Sequence, residues 1–421
     1  MNNKFKKYIV FWLSQAVSQS GSAMTSFALI LWVYTINPSA LAISLISLCN
    51  YIPYIIVSLF AGTFVDRHNK KKIMLTADSV AAGCTILVLI LWLINGLQVW
   101  HIYLVNCVIG FMNAFQSPAS SVAIGRMVPK NKLANVSGMN SFSNSIITVF
   151  TPVLASFFFA LDGLKIILII DLSSFAIAFL VLLFMISIPE NETDTENRKS
   201  VLTDYRTGVT FLADNKGILN IILTMALLNF FSRLTYENIL SPMILSRSGN
   251  NSLVLGTVNA VMGIGGILGG IIVSTGKLPK DNIKMIYVSA TFSFLFGDFL
   301  MGAGRNVIIW SIAGLAASLP IPFINAGQNV ILYKRVPDCL QGRVFAVRNA
   351  IQYSTIPIGI LLGGFLADYV FEPFMQEKNV FTVILHRIVG EGTGSGMAVM
   401  FLCTGILGSL FSLILSRQKE I

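Results

Sequence analysis

The chain has 421 residues, of which 55% are apolar and only 11% charged, with a formal net charge of +10. Soluble domains carry roughly a quarter charged residues, so this composition excludes a water-soluble fold and makes nucleic acid a poor explanation of the basic excess. Five cysteines without a C-x-x-C spacing and three scattered histidines supply neither a disulfide framework nor a metal-ligand pair, and no metal or cofactor is expected.

Apolar runs of about 20 residues match a hydrocarbon core about 30 Å thick, and runs this long and non-alternating read as helices rather than barrel strands. In chain order they predict spans near 8–34, 42–65, 75–95, 100–124, 134–160 and 166–188. Six more follow near 218–245, 253–275, 283–303, 307–334, 341–371 and 397–416, twelve in all. The start, "MNNKFKKYIVFWLSQAVSQ", has the basic opening of a signal peptide. Its apolar run is too long, however, and no small-residue cleavage site closes it, so it reads as a retained first span. With the N-terminus in the cytoplasm, 23 of the 29 lysines and arginines fall inside and five outside, with Arg233 within a span. That asymmetry predicts both termini on the cytoplasmic side.

The longest connection, "PENETDTENRKSVLTDYRTGVTFLADNKG" (189–217), follows span six and predicts a division into bundles 1–188 and 218–421. Its stretch 201–214 reads as an amphipathic helix lying on the membrane surface or on the protein's inner face. An offset of 208 residues superposes Phe115 on Phe323, Arg126 on Lys334, and Val128-Pro129 on Val336-Pro337. Parallel six-helix repeats are the plan of one large group of transporters, in which substrate sits near the midplane.

Between spans two and three lies "GTFVDRHNKKKIM" (62–74). It resembles the signature loop of the major facilitator superfamily, G-x-x-x-D-R-x-G-R-[RK], through Gly62, Asp66, Arg67, Lys70 and Lys71. Asn69 stands where glycine is usual and is expected to take the left-handed turn that asparagine tolerates. The motifs "QAVS" (15–18), "IPYII" (52–56), "GRVF" (342–345) and "PIGILLGGFLAD" (357–368) are similar to those of the macrolide-efflux branch of bacterial drug:proton antiporters. The resemblance implies an all-α membrane protein of twelve transmembrane helices in two six-helix repeats, working by alternating access. It further implies a secondary active exporter of hydrophobic or amphiphilic, macrolide-like drugs, driven by the proton motive force and conferring antibiotic resistance. The expected setting is a bacterial plasma membrane, with a small amphiphilic substrate, protons and the bilayer as partners, and the chain as a monomer. The loop aspartate of the family braces the two halves through the start of helix eleven, so Asp66 is expected to face that helix N-terminus, near Arg343. Asp78 is expected to pair with the basic cluster.

Charges inside spans are costly and are functional hypotheses by default. "NFFSRLTYENIL" places Arg233 and Glu237 four residues apart on one helical face. They form either a self-satisfied ion pair or a proton site in which Arg233 holds Glu237 ionised until substrate or a conformational change disturbs it. Asp171 and Asp298 are the other proton-coupling candidates, and Asp368 reads as solvated near the outer mouth. Helices one, four, seven and ten line the cavity in this fold, which selects Gln15, Gln19, Asn113, Gln116, Asn229, Tyr236, Asn325 and Gln328 as candidate walls. Two departures from the family stand out. Ile109 occupies the position where many proton-coupled exporters carry an arginine, and "TPVLAS" keeps only Pro152 of the helix-five antiporter pattern, as a candidate hinge. "GEGTGSG" (390–396) follows no strand and reads as a flexible outer loop. With no P-loop, H-E-x-x-H or hydrolase elbow, the chain is not expected to be an enzyme. Two alternatives stay open: a carrier of an endogenous metabolite or lipid without proton coupling, and a non-transporting receptor or assembly subunit.

Overall fold

The structure is a computed structural model that describes residues 3–128, 133–188, 201–275 and 281–416, with the side chains of Asp66, Arg67 and several others outside the described set. The described residues form helices and turns with no strand. Eleven of the helices are long and apolar enough to cross a membrane. The remaining expected span is α4 (Val99–Met127), which at 29 residues has the length but carries His101, Asn106, Asn113 and Gln116. The protein is therefore a multi-pass, all-α membrane protein. Its exterior agrees, since Phe184, Ile308 and Ile414 are 76%, 67% and 68% exposed, a surface that water would not tolerate.

The chain divides into two compact units, Met1–Pro38 with Leu45–Asp194, and Ser39–Ser44 with Thr195–Ile421. The first unit holds α1 (Asn3–Ile36), most of α2 (Ala40–Arg67), α3 (Lys70–Leu93), α4, α5 (Leu133–Asp162) and α6 (Leu164–Leu180), the last prolonged by a π-helical stretch Val181–Met185. At one end of this unit the helix termini share a core of Tyr8, Phe11, Val65, Met74, Met127 and Leu182. The signature loop lies at this end and is locally well capped. Asn69 has φ −64° and ψ 114° and accepts from the Lys72 N–H at 2.8 Å, so it is the N-cap of α3 and not the left-handed residue expected. An asparagine side chain does here what glycine cannot, satisfying a free helical N–H. Lys71 Nζ donates to the carbonyls of Leu183 and Ile186 at 2.8 and 2.7 Å, closing the end of the sixth span. Pro152 lies inside α5 without interrupting it.

The second unit contains α7 (Val201–Asp214), α8 (Lys216–Thr235), α9 (Leu240–Arg247), α10 (Ser252–Ser274) and α11 (Asn282–Phe292). It continues with α12 (Phe299–Ala303), α13 (Val307–Ser318), α14 (Ile321–Arg335), α15 (Asp338–Leu366), α16 (Glu372–Gln376), α17 (Val380–Val389) and α18 (Ser395–Leu415). Asn251, Asp281, Asn306 and Asn379 cap the helices that follow them. The expected amphipathic stretch 201–214 is α7, and it packs on α15. Leu212 enters a core with Ile218, Leu332, Val344 and Val347, and a Cβ on Gly208 would stand 2.7 Å from the Arg343 carbonyl oxygen. Residues 189–200 of the expected linker lie outside the described set.

Three local features differ from the expected spans. Span seven is broken, α8 ending at Thr235 and α9 starting at Leu240. The outer segment after span eleven holds α17, and Glu372 accepts from the N–H groups of Gly394 and Met397 at 3.3 and 2.9 Å, which orders the glycine-rich turn. Asp368 is not a solvated acid: it accepts from the Ser39 hydroxyl at 2.5 Å and the N–H groups of Ala40 and Leu41 at 3.1 and 2.9 Å. An anion at a helix start meets free amides and a favourable dipole.

Candidate functional site

Within the first unit, α1, α2, α3, α4, α5 and α6 enclose a cavity of about 820 Å³, a size typical of small-molecule sites. Close backbone approach shapes its wall. A Cβ on Gly110 of α4 would clash with the Asn50 carbonyl oxygen of α2, and a Cβ on Gly21 of α1 would lie 3.0 Å from the Asp171 Cα of α6. The wall carries amides (Gln15, Gln19, Asn50, Asn113, Gln116), aromatic rings (Trp12, Tyr51, Tyr54) and several hydroxyls. Among the described residues it includes two carboxyls, Asp78 and Asp171, and no basic side chain. Trp12 Nε1 and Gln15 Nε2 are buried donors with no partner among the described residues.

The two carboxyls differ in how far their neighbours satisfy them. Asp171, 4% exposed, accepts from Ser22 Oγ at 3.0 Å, Thr25 Oγ1 at 2.9 Å and Thr85 Oγ1 at 3.2 Å, which ties α1, α3 and α6 together. Among the described residues Asp78 accepts from the Gln116 amide alone. A carboxylate offers about four lone-pair sites, so Asp78 retains acceptor capacity facing the cavity. The expected pairing of Asp78 with the basic loop is corrected here. Asp78 lies eight residues after Lys70, about 12 Å along the helix, and its side chain meets Gln116 rather than a loop cation. Asn140 and Asn144, four apart on α5, also line this wall with Asn50 and Asn106. Their signal was present in the sequence as amides within apolar runs.

Of the predicted residues, Gln15, Gln19, Asn113, Gln116, Asp78 and Asp171 thus come together, with Ile109 beside them. Of the rest, the signature-loop residues Gly62, Asp66, Arg67, Lys70 and Lys71 and the proline Pro152 lie in the first unit but not among the described residues lining this cavity, and those beyond residue 194 lie in the second unit and are not gathered into one cavity among the described residues. Arg233 pairs with Glu237 across the end of α8. Next to that pair, Asn238 in the break donates to Ile360 O at 2.6 Å and Ser44 Oγ at 2.7 Å. Asp298, 1% exposed at the end of a π-helical stretch Ser293–Asp298, accepts from Thr404 Oγ1 at 2.7 Å. The fully buried Tyr236 hydroxyl lies beside it at a geometry short of a full hydrogen bond. Asn229 and Asn325 are exposed, and Gln328 is buried with Nε2 unpaired. Gly62 faces open space, Lys70 is 4% exposed, and Arg343 lies in the first turns of α15, while the side chains of Asp66 and Arg67 are outside the described set.

A family model described as Major Facilitator Superfamily matches residues 11–370. Macrolide efflux protein A of Streptococcus pyogenes is 27% identical over 381 residues, covering 88% of this chain and 91% of that protein. Macrolide efflux protein A of Enterococcus faecalis is 26% identical over 331 residues, covering 76% and 99%. Among solved structures, the nucleoside transporter NupG superposes with a TM-score of 0.70 at 14% identity, over 100% of each chain. The last likeness concerns the fold alone.

Proposed function

This chain belongs to the Major Facilitator Superfamily and is a transporter rather than an enzyme, and from that premise we propose that it exports amphiphilic, macrolide-like compounds from a bacterial cell in exchange for protons. The observation that carries the reading is the make-up of the first unit's cavity: amides, hydroxyls and aromatic rings around two carboxyls, with no basic side chain among the described residues that line it. Such a wall suits a large amphiphile that brings hydrogen-bonding groups and a positive charge, since aromatic faces and carboxylates both attract cations. An anion this close to the membrane interior is costly, so either a proton or a cationic substrate neutralises Asp78 to advantage. Because one displaces the other, Asp78 links export to proton entry. This reading moves the coupling residue from Glu237, whose charge Arg233 already meets, to the cavity wall. The macrolide part of the proposal draws on the relatives. The proposal keeps the chain as a monomer in the plasma membrane with both termini cytoplasmic. Asp66, Arg67 and Arg343 keep the gating role that the signature loop implies.

One feature favours a second reading, an uncoupled carrier of an endogenous polar metabolite: Ile109 lies in the cavity wall where many proton-coupled relatives carry an arginine. Expression in a pump-deficient bacterium, with a drug panel that includes macrolides, separates the two. The exporter raises tolerance, and a proton uncoupler abolishes substrate efflux from loaded cells. Efflux that survives the uncoupler, or unchanged tolerance despite good membrane expression, selects the carrier.

A further inference from the structure

A second cleft, of about 340 Å³, opens in the second unit where three helices end. Asn215, Gly217, Ile218 and Ile221 contribute from the start of α8, Asn282 and Ile283 from the start of α11, and Ile331, Lys334 and Arg335 from the end of α14. Its composition is graded along its depth. Four isoleucines make the wall and merge with the buried cores of the unit, while Lys334 and Arg335 stand at the mouth, both exposed. Among the described residues neither cation has an ion-pair or hydrogen-bond partner, the ion pairs there being Arg233 with Glu237 and Lys284 with Asp281. The acid beside the cleft is thus already engaged. Asp281 caps α11, and the backbone N–H of Lys284 holds its carboxyl below the usual carboxylate range. The first turn of α8 adds amides that no side chain caps.

Cations in the last turn of α14 suit its dipole whatever else they meet. Two adjacent cations with no partner among the described residues, over an apolar slot where three helices end, however, form a site for an amphiphilic anion. We propose that this cleft binds the phosphate ester of an anionic membrane phospholipid, its acyl chain running along Ile218, Ile221, Ile283 and Ile331. In the orientation proposed above, on which the leaflet assignment rests, this is a lipid of the inner leaflet.

The test takes the purified full chain in neutral detergent and titrates it with short-chain phosphatidylglycerol, short-chain phosphatidylcholine or inorganic phosphate, reading the rise in melting temperature and the bound mass by native mass spectrometry. Phosphatidylglycerol is expected to bind and stabilise, and phosphatidylcholine is not. The double variant K334Q/R335Q is expected to bind on the order of twentyfold more weakly, each near-surface charge contributing about a factor of five. K334R/R335K retains binding, as does K165Q/K378Q, which removes as much charge elsewhere. If the double variant fails to reach the membrane, K334Q and R335Q singly are each expected to weaken binding about fivefold. Undiminished affinity in these variants, or an equal loss in K165Q/K378Q, overturns the proposal. Saturation by inorganic phosphate with no gain from the lipid overturns the lipid assignment. Binding in detergent does not depend on which way the chain faces, so failure here and failure of the orientation are read separately.

Discussion

Asp171 accepts from three hydroxyls and Asp78 from one amide, and the difference separates what their substitutions do. Asp171→Ala leaves the buried hydroxyls of Thr25 and Thr85, and the exposed one of Ser22, without that acceptor, a loss of roughly 1–3 kcal/mol, visible as a lower melting temperature. Asp171→Asn keeps an acceptor oxygen and loses less. Asp78→Asn leaves the Gln116 amide an acceptor and the fold intact, but removes the titrating group. In inverted vesicles a pH-sensitive dye then reports no substrate-induced proton release, whereas Glu237→Gln retains it. The reverse pattern would return the coupling role to Glu237. Gly110→Ala drives a methyl into the Asn50 carbonyl, so it destabilises by about 1–3 kcal/mol and distorts the wall that Asn50 shares.

At the level of elements, the signature loop does local structural work that is separable from gating. Asn69 starts α3 and Lys71 ends the sixth span. Asn69→Gly, the residue usual in the family, therefore loses only a few tenths of a kcal/mol, and Asn69→Ala about 1 kcal/mol. Lys71→Met strands two carbonyls and lowers the melting temperature more than Lys72→Met, whose side chain is exposed. Thermal unfolding of the detergent-solubilised variants checks the order. The break in span seven belongs to the same scale. Its residue Asn238 spends its side-chain amide on Ile360 O and Ser44 Oγ, and Pro242 in the first turn of α9 marks the break in the sequence, since it has no N–H to give the Asn238 carbonyl.

For the molecule as a whole, each unit is a helical body with its own core, and the proposed orientation follows from charge alone. In a cysteine-free background, Lys378→Cys is expected to react with an impermeant maleimide in intact cells, and Lys216→Cys only after permeabilisation; the opposite result inverts the topology. The spans and the family were legible along the chain, as was the polar character of α4. The cavity was legible in part. Gln15, Gln19, Asn113 and Gln116 were found from spacing and family resemblance, while Asn50, Asn140 and Asn144 escaped because they lie on helices that the resemblance did not select, and Asn106 escaped although it lies on the selected helix four.

The sequence by itself determined the membrane class, the element order and the signature loop, because hydropathy, charge bias and motif spacing are properties of consecutive residues matched to a slab of fixed thickness. Only the tertiary structure decided that Asp78 meets Gln116, that three hydroxyls hold Asp171 and that Asp368 caps a distant helix start. Those pairings join residues 38, 146 and 328 positions apart. They follow from which helix faces come together, and contacts such as Gly110 against Asn50 set that by packing rather than by order along the chain.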